Sequence, residues 1–259
     1  MNPRRAFLTA EWRYLVMLNY EVPPAVLAPL VPAGTTLDLW RGRALASVVG
    51  FRFLDTRVLG VPVPFHRSFD EVNLRFYVRR ESPGGDVRRA VVFVRELVPR
   101  RAIALVARLA YDEPYDAVPM RSSVPPSVVA APGRLEYAWR TARRWHRVAA
   151  ETVGEPTLAE PDGEGAFVTD HYWGYTRQRD GGTVEYEVAH PRWRLWAVRD
   201  AVLDADVAEV YGPRFAEALS GVPSSALVAE GSPVVVYPPR RLPARAGTVA
   251  ASVGADRGR

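Results

Sequence analysis

Between Asp70 and Arg79 the sequence DEVNLRFYVR alternates with period two. Val72, Leu74, Phe76 and Val78 share one side, and Glu71, Asn73, Arg75, Tyr77 and Arg79 share the other. A chain with this pattern makes a β-strand whose two faces meet different surroundings. The polar side combines a carboxylate, an amide, a guanidinium and a phenol. Two placements fit it: the wet side of an antiparallel sheet, or the lining of a cavity inside a curled sheet, where interior positions also alternate.

The flanking sequence is also β-rich. Trp12–Tyr20 reads as a first strand, and Pro23-Pro24 opens a short helix over Ala25–Leu30. Thr36–Trp40 and Arg43–Phe53 read as a hairpin across Arg41-Gly42, with Ala44, Ala46 and Gly50 leaving room for a close neighbour. Leu54–Phe69 is a loop containing His66. Ala90–Val98 and Ala102–Tyr111 are the most apolar strands, and Asp112–Pro132 is proline-rich and irregular.

Leu135, Tyr137 and Trp139 suggest another strand, while Arg140–Val153 is compatible with a helix by composition. Phe167–Arg177 and Thr183–His190 flank Asp180-Gly181-Gly182, a hairpin signal. Asp204–Tyr211 and Pro213–Leu219 read as short helices, with Asp204 as N-cap. A last strand covers Val234–Tyr237, and the tail from Ala244 reads as disordered. No internal repeat and no linker divides the chain, so residues 1–243 read as one domain.

Composition removes several chemistries. The chain has no cysteine, hence no thiolate nucleophile and no zinc–sulfur site. All 34 residues counted as Lys+Arg are arginine, so no side-chain amine exists to form a Schiff base. The net charge of +5 is scattered rather than gathered on one face, which argues against nucleic-acid binding. Glu11 and Arg13 interrupt the N-terminal apolar run, and no apolar stretch approaches the roughly 20 residues that span a bilayer. The expectation is a cytoplasmic protein with no membrane segment. No Gly-rich phosphate loop, HExxH pair or GxSxG elbow occurs.

Arg108 lies among small apolar side chains and must be paired or reach water; Glu71 or a bound anion would serve. His171 and His190, on opposite arms of the hairpin, could meet and hold a metal with Asp170 or Glu187, but the spacing fixes no ligand set, and no metal is assigned. Trp12, Trp173, Tyr175, Trp193 and Trp196 either wall an apolar pocket or fill the core.

Several motifs together resemble those of the bacterial YqjF-like proteins, whose domain of unknown function is numbered 2071. Glu71-Val72-Asn73-Leu74-Arg75-Phe76-Tyr77-Val78 resembles the family's E-x-N-x-R-x-Y-V signature. Ala107-Arg108 with Pro114-Tyr115, Phe167–Thr176, His190-Pro191-Arg192-Trp193 and Gly231-Ser232-Pro233-Val234 resemble later elements in order, with Asp170 where glutamate is expected.

The family is similar in fold to acetoacetate decarboxylase. The resemblance implies an α+β, mainly antiparallel protein, its curled sheet forming a cone or barrel around a cavity, with short helices outside. In the decarboxylases a strand glutamate and a lysine serve the site. Glu71 matches the former, and Tyr115 falls near the latter.

The expected function is cofactor-independent chemistry on a small organic acid or carbonyl compound. Glu71 would be the base, with Tyr115 or His190 as acid or oxyanion donor. Asn73, Arg75, Arg108, His171 and Trp193 would bind substrate. A non-catalytic small-molecule binding protein on the same cavity is the alternative, and the apolar strands leave room for a homodimer face.

Overall fold

The computed structural model describes residues 4–63, 67–82, 84–99, 114–124 and 133–242. In chain order the first half supplies β1 (Leu8–Glu21), α1 (Pro24–Leu27), β2 (Thr36–Leu37), β3 (Leu45–Val58), β4 (Val61–Pro62), β5 (Phe69–Glu81), β6 (Val87–Val98), β7 (Tyr115–Ala117) and β8 (Met120–Ser123). The second half supplies β9 (Arg134–Arg140), β10 (Trp145–Leu158), α2 (Glu164–Thr169), β11 (Trp173–Arg177), β12 (Thr183–Ala189), β13 (Arg194–Asp204), α3 (Val207–Tyr211), β14 (Ser225–Val236) and β15 (Arg240–Arg241).

All of these strands belong to one sheet. Its path runs β12-β11-β6-β5-β3-β1-β14, and β14 pairs back onto β12 through Val188↔Val236 and Ala189↔Val235. The sheet therefore closes into a ring. Most pairings are antiparallel; β11 and β7 run parallel to β6. Beyond β14 the sheet continues through β13, β10, β9 and β8 as a wing.

Two cores follow, one on each face of β5. Val72, Leu74, Phe76 and Val78 pack outward into a cluster shared with Tyr137, Trp139 and Val148 of the wing. Phe69 and Tyr77 face the ring's interior with Leu15, Phe51 and Phe53. The wing lies so close to the ring that a Cβ on Gly50 would stand 2.7 Å from the Tyr137 ring. A side chain there would have to push the wing away, which is the use of glycine at this position.

Three bulges curl the ring, and each reverses which residues point inward. Between β1 and β3, Arg13↔Arg52 is followed by Val16↔Gly50, and Tyr14 takes φ 54°. The inward series on β1 thus passes from Trp12 to Leu15. Further along the same pair, Thr9↔Arg57 and Glu11↔Leu54 enclose Asp55 at φ 48°, so β3 turns Phe53 and then Thr56 inward. Between β5 and β6, Leu74↔Arg95 is followed by Arg75↔Phe93. Val94 is the extra residue, and the inward positions on β6 become Phe93 and Glu96. β5 itself carries no extra residue.

The structure revises several sequence expectations. Arg41 (φ 48°) and Gly42 (φ 83°) do form a two-residue turn joined by Trp40 and Arg43. β2 nevertheless pairs with β5, because both edges of β3 are taken by β1 and β5. Within 112–132, the described residues include β7 and β8. Arg140–Val153 resolves as the end of β9 and most of β10 rather than a helix.

Phe167–Thr169 closes α2 instead of starting a strand. There the Thr169 hydroxyl donates to Gly165 O at 2.7 Å, and Phe167 buries against Trp40 and Tyr77. The N-cap of α3 is Asp206, which accepts from the Glu209 amide at 2.9 Å; Asp204 ends β13 and pairs with Arg144. Of the second expected helix only a 3₁₀ turn forms, Pro213–Phe215. The last strand starts earlier than expected, at Ser225. The expected strand Ala102–Tyr111, Arg108, His66 and the tail from Ala244 lie outside the described residues.

Candidate functional site

The ring encloses a cavity of about 200 Å³. Because β5 keeps strict alternation, Glu71, Asn73 and Arg75 all stand on its inner wall, at 2%, 1% and 7% exposure. Burial this deep requires hydrogen bonds for the polar groups, and two are present at the carboxylate. Asn73 Nδ2 donates to Glu71 Oε1 at 2.9 Å, and the Tyr115 hydroxyl donates to Oε2 at 3.2 Å. Tyr115 reaches Glu71 because β7 runs beside β6 with Tyr115 opposite Glu96.

Glu96 is a second buried carboxylate on the wall and stands opposite Asn73 in register. Strict alternation on β6 would have turned Arg95 inward. The bulge at Val94 turns Glu96 inward instead, while Arg95 faces away and pairs with Asp116 at 2.7 Å. The adjacent Arg-Glu pair inside an otherwise apolar run was the sequence signal for this break.

Arg75 donates from Nη2 to Val168 O at 3.0 Å. Among the described residues its Nε has no hydrogen-bond partner and the guanidinium makes no ion pair. A buried guanidinium in this state suits a bound anion.

His171 sits in the connection between α2 and β11, packed against Tyr77 with ring centroids 4.7 Å apart and the planes tilted by 34°. Neither ring nitrogen has a hydrogen-bond partner among the described residues; Nε2 is 3.6 Å from Asp38 Oδ2, beyond direct bonding. Burial pushes its pKa down to about 4, against the smaller opposing pull of Asp38. The ring is neutral near pH 7 and holds one donor and one acceptor for a ligand. Burial opposes charge on Asp38 as well, but His171 and Arg89, the latter at 2.7 Å, hold that carboxyl below its usual range.

His190 lies against Trp193, ring centroids 4.2 Å apart and nearly parallel. Its Nδ1 is 2.9 Å from Pro191 O, which can only accept, so the proton sits on Nδ1. Burial lowers its pKa, outweighing the carbonyl's effect. His190 is therefore held neutral near pH 7, with its Nδ1 proton directed at the Pro191 carbonyl. Trp193 in turn donates its indole N–H to Ser232 Oγ at 2.9 Å. The His190–Trp193 and Gly231–Val234 motifs, far apart in sequence, thus meet at one point of the wall.

Of the five aromatics considered from sequence, Trp12, Trp173 and Trp193 line the cavity. Tyr175 and Trp196 belong to the outer core. The hairpin does not bring His171, His190, Asp170 and Glu187 into a metal site, and the described residues hold no cluster of three or more metal-ligating side chains. No helix among them is long and apolar enough to cross a membrane.

A mainly antiparallel sheet curled into a ring, with few short helices, matches the acetoacetate decarboxylase-like fold. Acetoacetate decarboxylase from Legionella pneumophila superposes with a TM-score of 0.64 at 11% identity, covering 94% of this chain and 90% of that one. An acetoacetate decarboxylase-like enzyme from Sphingomonas wittichii gives 0.63 at 14%, covering 91% and 92%. The enduracididine biosynthesis enzyme MppR, complexed with pyruvate, gives 0.62 at 14%, covering 91% and 90%. No curated protein matches the chain. The family model DUF2071, described as an uncharacterized conserved protein, matches residues 9–237, and the chain belongs to that family.

Proposed function

We propose that the cavity binds a small organic acid or carbonyl compound and that Glu71 acts on it as a base, using the chain's own side chains. The observation that carries this reading is the Glu71 carboxylate itself. It is 2% exposed on a cavity wall, and Asn73 and Tyr115 hold it in one orientation. A base must be fixed in this way if it is to meet a substrate C–H bond repeatedly.

Arg75 grips the anionic group of the ligand, and His171 offers it a neutral donor and acceptor. Glu71 takes a proton from the carbon next to the carbonyl, whose oxygen then gains negative charge. Protonation of Glu71 weakens its hold on the Tyr115 hydroxyl, which can turn to that oxygen. The chain has no lysine, so decarboxylation through a side-chain Schiff base is not available to it. This separates its chemistry from any amine-dependent reaction on the same fold.

A second reading, a non-catalytic binding protein, draws on the same hydrogen bonds. A carboxylate with both oxygens engaged by protein donors is also a structural feature. Incubation with acetoacetate, oxaloacetate and pyruvate, followed by nuclear magnetic resonance of the products, separates the two. The catalytic reading expects turnover that Glu71→Gln abolishes at an unchanged thermal midpoint. Ligand-dependent thermal stabilisation with no product, equal in both proteins, establishes the binding reading instead.

A further inference from the structure

We infer that the ligand carries an aryl group, placed one or two carbons from the carbonyl that Glu71 addresses. The inference rests on the reading of Glu71 and Arg75 above and names the substrate class for that site.

The wall of the cavity changes character at one position of β5. From Glu71 toward Arg75 the inward residues are charged or polar. One inward step the other way is Phe69, where an aromatic enclosure begins. Phe53 pairs with Phe69 across the strands and stacks on it, centroids 4.5 Å apart at 13°. Trp12 meets Phe51 and Phe53 edge-on at 5.5 and 5.7 Å. Trp193 closes the group at 6.4 Å from Trp12.

The rings pack mainly edge to face and line the same cavity as the polar residues. An inserted aromatic ring would extend that arrangement, which favours it over an alkyl chain of similar size. A two-residue step along an antiparallel strand is about 7 Å, comparable to the reach of a phenyl ring attached one or two carbons from a carbonyl. A ligand as small as pyruvate would occupy the polar end and leave the aromatic end empty.

Isothermal titration of the full chain with four probes tests this: pyruvate, phenylpyruvate, ketoisocaproate (isobutyl in place of benzyl) and phenylacetone (no carboxylate). Each is titrated into wild type and Arg75→Met, with circular dichroism to confirm folding. Burial of the ring predicts phenylpyruvate binding about 30-fold tighter than pyruvate, and tighter than ketoisocaproate. Arg75→Met should weaken pyruvate and phenylpyruvate alike, and phenylacetone should bind weakly in both proteins.

Equal affinity for pyruvate and phenylpyruvate, both sensitive to Arg75, overturns the aryl inference and leaves the anion site standing. Ketoisocaproate matching phenylpyruvate also overturns it. Phenylacetone matching phenylpyruvate, with no effect of Arg75→Met, overturns the anion site and leaves the aryl pocket. No binding of any probe at millimolar concentration overturns both.

Discussion

Asn73 Nδ2 donates to Glu71 Oε1 at 2.9 Å, between two residues on the same face of one strand. The bond spans the shortest distance at which a β-strand repeats a face, so the strand itself sets its geometry. It fixes the carboxylate along the wall, and Tyr115 fixes it across the wall.

Asn73→Ala removes the donor and leaves a buried carboxylate with one fewer hydrogen bond, at an expected cost of about 2 kcal/mol. Asn73→Asp should cost more, because it sets a second carboxylate beside Glu71. Urea denaturation of the three proteins at neutral pH checks the order. Equal stability of Asn73→Ala and Asn73→Asp would show that the amide is not holding a charge.

Acid should destabilise the protein through His171. Its folded pKa of about 4 lies below the ordinary value of 6.5. The unfolded chain therefore binds a proton that the folded chain refuses. The stabilisation is complete above pH 6.5, falls as pH drops toward 4, and is gone below that. The shift corresponds to about 3 kcal/mol. His171→Phe should flatten the stability profile across this window, and parallel profiles for the two proteins would contradict the assignment.

Gly231 should tolerate no side chain. It lies at φ +79°, and a Cβ would stand 1.9 Å from the Trp12 carbonyl oxygen, a backbone atom that cannot rotate away. Gly231→Ala should destabilise by more than about 2 kcal/mol and loosen Trp193, whose partner Ser232 is the next residue. Thermal unfolding and tryptophan fluorescence report the two effects.

Glu185 is fully buried beneath Arg80, Arg88 and Arg240, and also accepts from the Tyr175 hydroxyl at 3.1 Å. Burial raises the cost of its charge, but Arg240 and Arg88 hold its pKa below the usual range. Glu185→Leu leaves the part-buried Arg80 and Arg88 guanidinium groups without this counter-charge and should cost about 3 kcal/mol. Denaturant titration of the variant gives the value; an unchanged midpoint would mean the arginines find water instead.

The candidate site was legible where the chain keeps a strict period. β5 has no extra residue, so Glu71, Asn73, Arg75 and Tyr77 could be placed on one face from the sequence alone, although period two fits a wet face as well as a cavity wall. On β1, β3 and β6 a bulge reverses the alternation partway, at Tyr14, Asp55 and Val94. A period-two reading passes through each reversal without notice. That is how Glu96 was missed, although it faces the same cavity as Glu71.

Long-range pairings were less accessible still. Trp193 and Ser232 touch because β13, which begins one residue after Trp193, pairs with β14 from Leu195↔Ala229, and no local spacing encodes that pairing. The helix at Glu164–Thr169 was hidden for another reason. Its apolar end, Phe167-Val168, is buried by tertiary packing and reads locally as a strand start. The two-residue turn at Arg41-Gly42 was read correctly, yet its first strand left for β5.

The central claim is that Glu71 abstracts a proton from a bound carbonyl compound. The most direct measurement is the rate of α-proton exchange into deuterium oxide, followed by proton resonance on phenylpyruvate or pyruvate with wild type and Glu71→Gln at matched saturation. The account predicts enzyme-dependent exchange in wild type, reduced about 100-fold or more in Glu71→Gln with binding retained. Exchange at the same rate in both proteins would remove Glu71 as the base.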